Sequence, residues 1–370
     1  MKIVVIGAGI VGASAAYHLA RNNHEVTLID KQHEGAATAA GAGIVCPWVS
    51  SEKEKNVDWY RIAKESARLY PQLIEQLRQD GEEETGYKKV GALCVSENRE
   101  TLHTIETELR DKYDSAPEMG DIQRLTANEA RELFPALQEK LEAVFVPGAA
   151  RVDGRLLRDA MVRAAKKHGA KILHGEASLV HEQDTVTGVR LNNEIIHADT
   201  VLIAAGAWTP ALVKPFGVNL KVEPQRGQIA HIKLPNTDTS DWPVILPESS
   251  HYMLAFDDSR IVAGATRETG SGFDYQTTAG GMHEVLTNAL AVAPGLNNGT
   301  MEEVRIGFRP MGPDILPLLG TLDHVQHVVI ATGLGASGLT MGPYVGILAA
   351  SLASGEDIAV DLNAYWPERE

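Results

Sequence analysis

Three stretches of the chain predict an α/β fold in which a parallel sheet with crossover helices is joined to a second, β-rich domain. The first is Ile3-Val4-Val5-Ile6, an unbroken β-branched run that reads as a strand buried on both faces. It breaks at Gly7-Ala8-Gly9-Ile10-Val11-Gly12 and gives way to a small-residue helical pattern from Ala13. The second is another apolar strand, residues 25–29, which delivers Asp30. The third is a late strand, residues 328–331, that runs into the glycine-rich loop Thr332-Gly333-Leu334-Gly335-Ala336-Ser337-Gly338 and a long helix reaching Ala353.

Each glycine of the first loop has its own physical reason. Gly7 permits a tight turn, Gly9 leaves no side chain between backbone and a pyrophosphate, and Gly12 lets the helix lie close against the strand. The N-terminus of that helix presents N–H groups to phosphate charge, and Asp30 is placed to accept hydrogen bonds from ribose hydroxyls. Strand, helix, second strand and acid in register predict a Rossmann-type domain with a bound dinucleotide.

At 370 residues the chain is long enough for two domains and a large core. The apolar fraction of 44% is that of an ordinary globular protein, and the formal charge of −15 speaks against nucleic acid or an anionic membrane surface as partner. Two cysteines, Cys46 and Cys94, suggest a reducing compartment. The first apolar run is a strand of the fold rather than a signal peptide, and the glycine-rich 333–353 stretch is the nearest approach to a membrane span. The expectation is a cytoplasmic protein.

Beyond Asp30, the small-residue segment 35–43 suits backbone lying against something flat or extended, and Ile44, Val45, Cys46, Pro47 and Trp48 are candidates to face the reactive end of a cofactor. Helical spacing runs from about Asp58 to Gln79, with Pro71 predicting a kink or two abutting helices. Glu82-Glu83-Glu84 reads as a solvated loop. Residues 90–96 read as a strand, Thr126 and Glu129 form a capping box, and Asp153 is a plausible N-cap. Strands follow at 171–173, 186–191 and 194–197, and another apolar strand at 200–204 closes on Ala205-Gly206-Ala207-Trp208. Residues 222–265 are β-rich, with strands at 228–232, 252–256 and 260–265. Gly307–Pro313 reads as a turn-rich stretch holding one Arg in an uncharged setting. The domain expectation is 1–85, 145–218 and 305–370 for the nucleotide-binding part, with 86–144 and 219–304 for the substrate part.

Two glycine loops between strand and helix exceed what one nicotinamide cofactor needs. The second could aim a helix N-terminus at the negative charge of a reduced flavin, or could simply allow close packing of helix on sheet. With these stretches in order from end to end, together with Ala40–Gly43, Pro224–Gln228 and Val262–Thr266, the chain resembles the D-amino-acid oxidase family of FAD-dependent oxidoreductases, and within it the glycine oxidase and D-amino-acid dehydrogenase group. The resemblance implies oxidation of a C–N bond by hydride transfer to flavin N5, followed by hydrolysis of the imine, with oxygen or another acceptor taking the electrons. It implies that Arg309 clamps a substrate carboxylate, that Tyr252 donates to the same carboxylate, and that Trp48 walls the substrate side. It also implies FAD contacts from Gly7, Gly9, Val11, Gly12, Asp30, Lys31, Ala37, Thr38, Ala42, Gly43, Ile44, Ser178, Gly206, Gly333, Leu334, Gly335, Ala336, Ser337, Gly338, Leu339 and Thr340.

Met311 and Gly312 stand where the sarcosine-oxidase branch carries a flavin-linking cysteine, so the FAD is expected to be non-covalent. Ile261-Val262-Ala263 lacks that branch's oxygen-activating Lys, and Ala336 replaces a polar or basic residue of some glycine oxidases; the electron acceptor stays open. A small D-amino acid, glycine, sarcosine or a proline-like imino acid would all suit the clamp. No histidine set has metal-ligand spacing. Two alternatives stand beside this reading, a nicotinamide-dependent dehydrogenase and a flavin-binding subunit of a larger amine-oxidising complex.

Overall fold

The computed structural model describes residues 1–49 and 56–369. A six-stranded sheet runs in the order 318–321, 328–332, 200–203, 2–6, 25–30, 171–174, and every neighbouring pair is parallel except the first. Val5, Leu28, Leu202 and Ile203 on its central strands are fully buried, as expected of a sheet covered on both faces. Helices Ile10–Arg21 and Gly338–Ser354 lie together on one face. They pack closely because glycines meet side chains: a Cβ on Gly342 would come within 2.5 Å of Ile10, and one on Gly346 within 2.5 Å of Ser14. The Ser14 hydroxyl also donates to the Pro343 carbonyl at 2.7 Å. By length and composition Gly335–Ser354 could cross a membrane, yet 61% of its apolar window is buried inside the protein, so it is a core helix here.

The second, larger sheet is mostly antiparallel and has nine strands among the described residues. Toward one edge Glu223–Lys233 pairs along its whole length with Thr300–Met311. That pairing corrects the reading of residues 307–313 as turns for 307–311, while Gly312 and Pro313 lie beyond the strand. Glycine and proline give the stretch a turn-like composition, but an eleven-residue partner strand supplies a ladder for its backbone. It also places residues 305–311 in the second sheet rather than with the nucleotide-binding strands, and Glu142–Val146 joins the same sheet. A three-stranded antiparallel sheet, 177–182, 185–191 and 194–197, stands apart from both.

Three smaller expectations change. Val57–Gln79 is one helix with Pro71 inside it, the proline lying on the exposed side. Glu82 is buried rather than solvated, because Arg163 and Lys167 reach it at 2.6 and 2.7 Å. Trp48 lies in the main hydrophobic core, 2% exposed.

Candidate active site

Where the two sheets face each other the structure encloses a cavity of about 480 Å³, lined by the first glycine loop, Asp30, residues 36–38 and 40–44, Gly206 and the 334–340 loop on one side. Gly227, Tyr252, Arg267, Phe308 and Arg309 line it from the other.

The glycine loop is shaped by backbone sterics. Gly7 has φ +102, and a Cβ there would meet the Ala204 carbonyl at 2.5 Å. A Cβ on Gly12 would sit 1.8 Å from the Gly7 oxygen, so that position holds strand and helix together, and Gly12 does not itself line the cavity. Gly9 is different: it lines the cavity, its φ of −70 is ordinary, and the nearest atom to its missing Cβ is Thr38 Oγ1 at 3.4 Å. Its lack of a side chain serves the cavity rather than the packing. Thr38 Oγ1 accepts from the Ile10 N–H at 2.9 Å. Asp30 accepts from the N–H groups of Ala8 and Gln32, one on each oxygen, which fixes the carboxylate at the end of its strand with lone pairs left for ribose hydroxyls.

Helix termini mark the same cavity. Of the seven described helices with seven or more residues, five are capped by a side chain: Asn56, Asn98, Thr126, Asp153 and Thr278. The two that begin at the cavity, Ile10–Arg21 and Gly338–Ser354, have no side-chain cap hydrogen bond. Two uncapped helix ends at one cavity suit a pyrophosphate and a second site of negative charge. The start of the second helix is held by the Tyr70 hydroxyl, which donates to the Leu339 carbonyl, and by Thr340, which donates to the Ile44 carbonyl at 2.9 Å. A backbone-lined cradle, an acid at the end of the second strand and two helix dipoles fit the two ends of an extended FAD.

A match to the DAO model, described as FAD dependent oxidoreductase, covers residues 2–352. The chain belongs to this family. It is therefore an FAD-dependent oxidoreductase of the kind that acts on amino acids or amines. Iminodiacetate oxidase (IdaA) from Chelativorans sp. BNC1 is 48% identical with a TM-score of 0.95, over 99% of this chain and 98% of that one. Glycine oxidase from Geobacillus kaustophilus is 26% identical with a TM-score of 0.85, over 100% and 99%. The uncharacterized oxidoreductase YurR of Bacillus subtilis (strain 168) is 48% identical across 98% of both chains.

Among the residues singled out from the sequence, Gly7, Gly9, Val11, Asp30, Lys31, Ala37, Thr38, Ala42, Gly43, Ile44, Gly206 and the whole of 334–340 line the cavity. So do Tyr252 and Arg309. Lys31 is ion-paired with Glu176 at 2.9 Å. Gly333 lies just behind the 334–340 loop, its missing Cβ facing Leu318. Ser178 is exposed on the separate three-stranded sheet, paired in register with Arg190, and its neighbour Ala177 is the residue that lines the cavity. Strand alternation turns Ser178 away. Val45 and Trp48 stay in the core, and of that stretch Ile44, Cys46 and Pro47 line the cavity.

Arg309 lies on Gly227, where a Cβ would be 2.6 Å from Nη2. Its Nη1 donates to Gln225 Oε1 at 3.1 Å and to the Thr266 carbonyl at 2.9 Å. Tyr252 adjoins it closely enough to act on its charge. All three neighbours are neutral. Burial lowers the proton affinity of the guanidinium, the neighbouring Tyr252 works the other way, and Arg267 lowers it further. Burial raises the Tyr252 pKa, so the phenol stays protonated and can donate. Arg226, one residue from Gln225, faces the other way and is saturated by Glu268 at 2.6 Å and Asp274 at 2.7 Å. Sequence reading missed Gln225, Gly227 and Arg267 as site residues. The Arg-Gly pair at 226–227 was the available signal, since a glycine inside a strand often marks a close approach by another group.

Proposed function

We propose that the protein oxidises a small amino acid or secondary amine at the carbon between amine and carboxylate. The observation that carries this reading is Arg309, a cavity-lining guanidinium whose hydrogen bonds all go to neutral groups. Its charge is left for a ligand. When bound, FAD supplies a hydride acceptor at N5.

The chain's own residues bind and orient the substrate. Arg309 takes the carboxylate in fork geometry. Tyr252, beside Arg309 in the cavity lining, has its own O–H to donate to the same carboxylate. Gln225 and the Thr266 carbonyl hold the guanidinium in place, and Gly227 gives it room. Apolar walls including Ile44, Ile229 and Leu246 keep water from the reacting carbon. Among the described lining residues near Tyr252 there is no carboxylate or imidazole. That suits a C–H bond leaving as hydride from a neutral amine, which needs alignment rather than a strong base. The substrate loses two electrons and two hydrogens as the imine forms, and water then splits the imine into a carbonyl compound and an amine or ammonia.

The named substrates of two relatives support the carboxylate clamp: glycine and iminodiacetate both carry a carboxylate one carbon from nitrogen. Met311 and Gly312 support non-covalent FAD, released into the supernatant when the protein is denatured with acid. The acidic surface and the absence of a disulfide among the described residues support a cytoplasmic setting.

Anaerobic mixing with glycine, sarcosine, iminodiacetate, proline and small D-amino acids tests the proposal. At least one should bleach the visible flavin band. Arg309→Ala should raise the half-saturating concentration of that substrate roughly 100-fold, because a desolvated charge pair is lost. A coloured protein that none of these amines bleaches would favour a non-catalytic flavin subunit.

A further inference from the structure

At the Asp30 end of the cavity three aromatic side chains stand in a row. His33 lies flat against Trp208, with ring centroids 4.3 Å apart and planes 5° from parallel. Trp208 in turn lies against Phe273 at 4.8 Å and 17°. His33 and Trp208 line the cavity, and Phe273 carries the row out to the surface, 45% exposed. The charge of Asp30 acts on His33, which sets the row beside the carboxylate that suits a ribose. Burial first, and then Lys31, hold His33 below its usual pKa, so at neutral pH an uncharged imidazole meets the indole.

The row joins the two halves of the molecule. His33 follows strand Glu25–Asp30 and Trp208 follows strand Thr200–Ile203, both in the parallel sheet. Phe273 comes from residues 270–278, between strand Glu268–Thr269 of the second sheet and helix Ala279–Val292. Phe308, 1% exposed, meets Trp208 and Phe273 edge-on at 6.2 and 5.3 Å, and its N–H donates to the Gly35 carbonyl at 2.8 Å. Phe308 is thus a fixed part of the wall.

The backbone around Phe273 is built for movement on one side and fixed on the other. Gly270 and Gly272 have φ of +80 and +58, and a Cβ on either would meet no atom within 4 Å. These glycines serve the backbone rather than the packing. Asp274, the next residue, is pinned by Arg226, which donates to its carboxylate at 2.7 Å and to its carbonyl at 3.0 Å. A ring between a glycine hinge and a pinned residue can swing off Trp208 while the strands stay in place.

We propose that Phe273 is a latch for the cofactor. Closed, it holds Trp208 against His33 and completes the wall over the adenosine end of FAD. Swung out, it frees Trp208 and opens that end for FAD to enter and leave. The stack is made of protein side chains alone, so it opposes opening whether the cavity is filled or not. It therefore slows entry and exit by the same factor. This role is independent of the carboxylate clamp.

Phe273→Ala tests the latch, and since the ring is half exposed the fold should survive its removal. Stopped-flow mixing of the apoprotein with FAD, followed by flavin fluorescence, gives the association rate. Dilution of the FAD-loaded protein into an excess of an unrelated apoflavoprotein that captures FAD gives the release rate. Both rates should rise roughly tenfold, the worth of an aromatic stack, and the Kd from their ratio should stay within about threefold. Phe273→Tyr keeps the ring and should keep both rates near those of the unaltered protein. Faster release with unaltered association would make Phe273 an ordinary contact that holds FAD, and would overturn the latch. So would rates that do not respond to Phe273→Ala, or a rise of equal size in Phe273→Tyr.

Discussion

Helices that begin away from the cavity and helices that begin at it are finished differently. Helix Arg99–Asp111 starts with Asn98, whose side chain accepts from the N–H groups of Glu100 and Thr101. Gly154–Lys167 starts with Asp153, which accepts from Arg155 and Leu156. Ile10–Arg21 starts with Gly9, which has no side chain to offer. A free helix N-terminus costs stability, and Asn or Asp would remove that cost at once. Gly9 leaves it standing where phosphate oxygens can take over the role. Among the described helices of seven or more residues, the two that begin at the cavity are the two without an N-cap side-chain hydrogen bond.

The contrast can be broken at several points. Gly12→Ala should produce the largest loss of stability, about 3 kcal/mol, because a methyl group 1.8 Å from the Gly7 oxygen forces helix and strand apart. Denaturant unfolding of the FAD-free protein measures it, and flavin should be lost along with the fold.

A smaller effect links the Asp153 cap to pH. Arg260 donates to both Asp153 Oδ2 and His231 Nδ1, each at 3.1 Å, so His231 must stay neutral to accept. Burial first, then Arg305 and Arg260, lower its pKa to about 3 from 6.5. The unfolded chain therefore takes up this proton first, and stability falls as pH drops from 6.5 towards 3. The slope should be about 1.4 kcal/mol per pH unit at most, and His231→Gln should flatten it. Unfolding midpoints between neutral and mildly acidic pH would show the difference.

Asn98→Ala should have the smallest effect, a loss of about 1 kcal/mol. FAD affinity should not change, since this cap is remote from the cavity. A drop in flavin binding would mean that the capped helices also contribute to the cradle.

Much of the nucleotide half was legible in the sequence, because its signals are local. Gly7 to Gly12 and Asp30 are spaced along one strand-helix-strand unit, and both turn and cavity need those residue types. The second sheet was harder to read. Thr300–Met311 carries glycines and a proline that score as turn, and only Glu223–Lys233, distant in sequence, makes it a strand. Ser178 and Trp48 were misplaced for a related reason. Strand alternation decides which of Ala177 and Ser178 faces the cavity, and side-chain packing decides which of Cys46, Pro47 and Trp48 does. Neither choice is made by neighbouring residues. Arg267 gave no motif at all, and only its place in the cavity lining marks it.

Gly9→Asp gives the most direct measurement. Its backbone angles suit any residue and its missing Cβ has only Thr38 Oγ1 nearby, at 3.4 Å, so the fold should accept the change. An Asp there would cap Ile10–Arg21 as Asp153 caps Gly154–Lys167 and would set a negative charge against the pyrophosphate. Titration of the apoprotein with FAD should show affinity reduced roughly 100-fold or more, while thermal unfolding of the apoprotein stays level or rises. FAD binding at unaltered affinity would contradict the claim that this helix end is reserved for the cofactor.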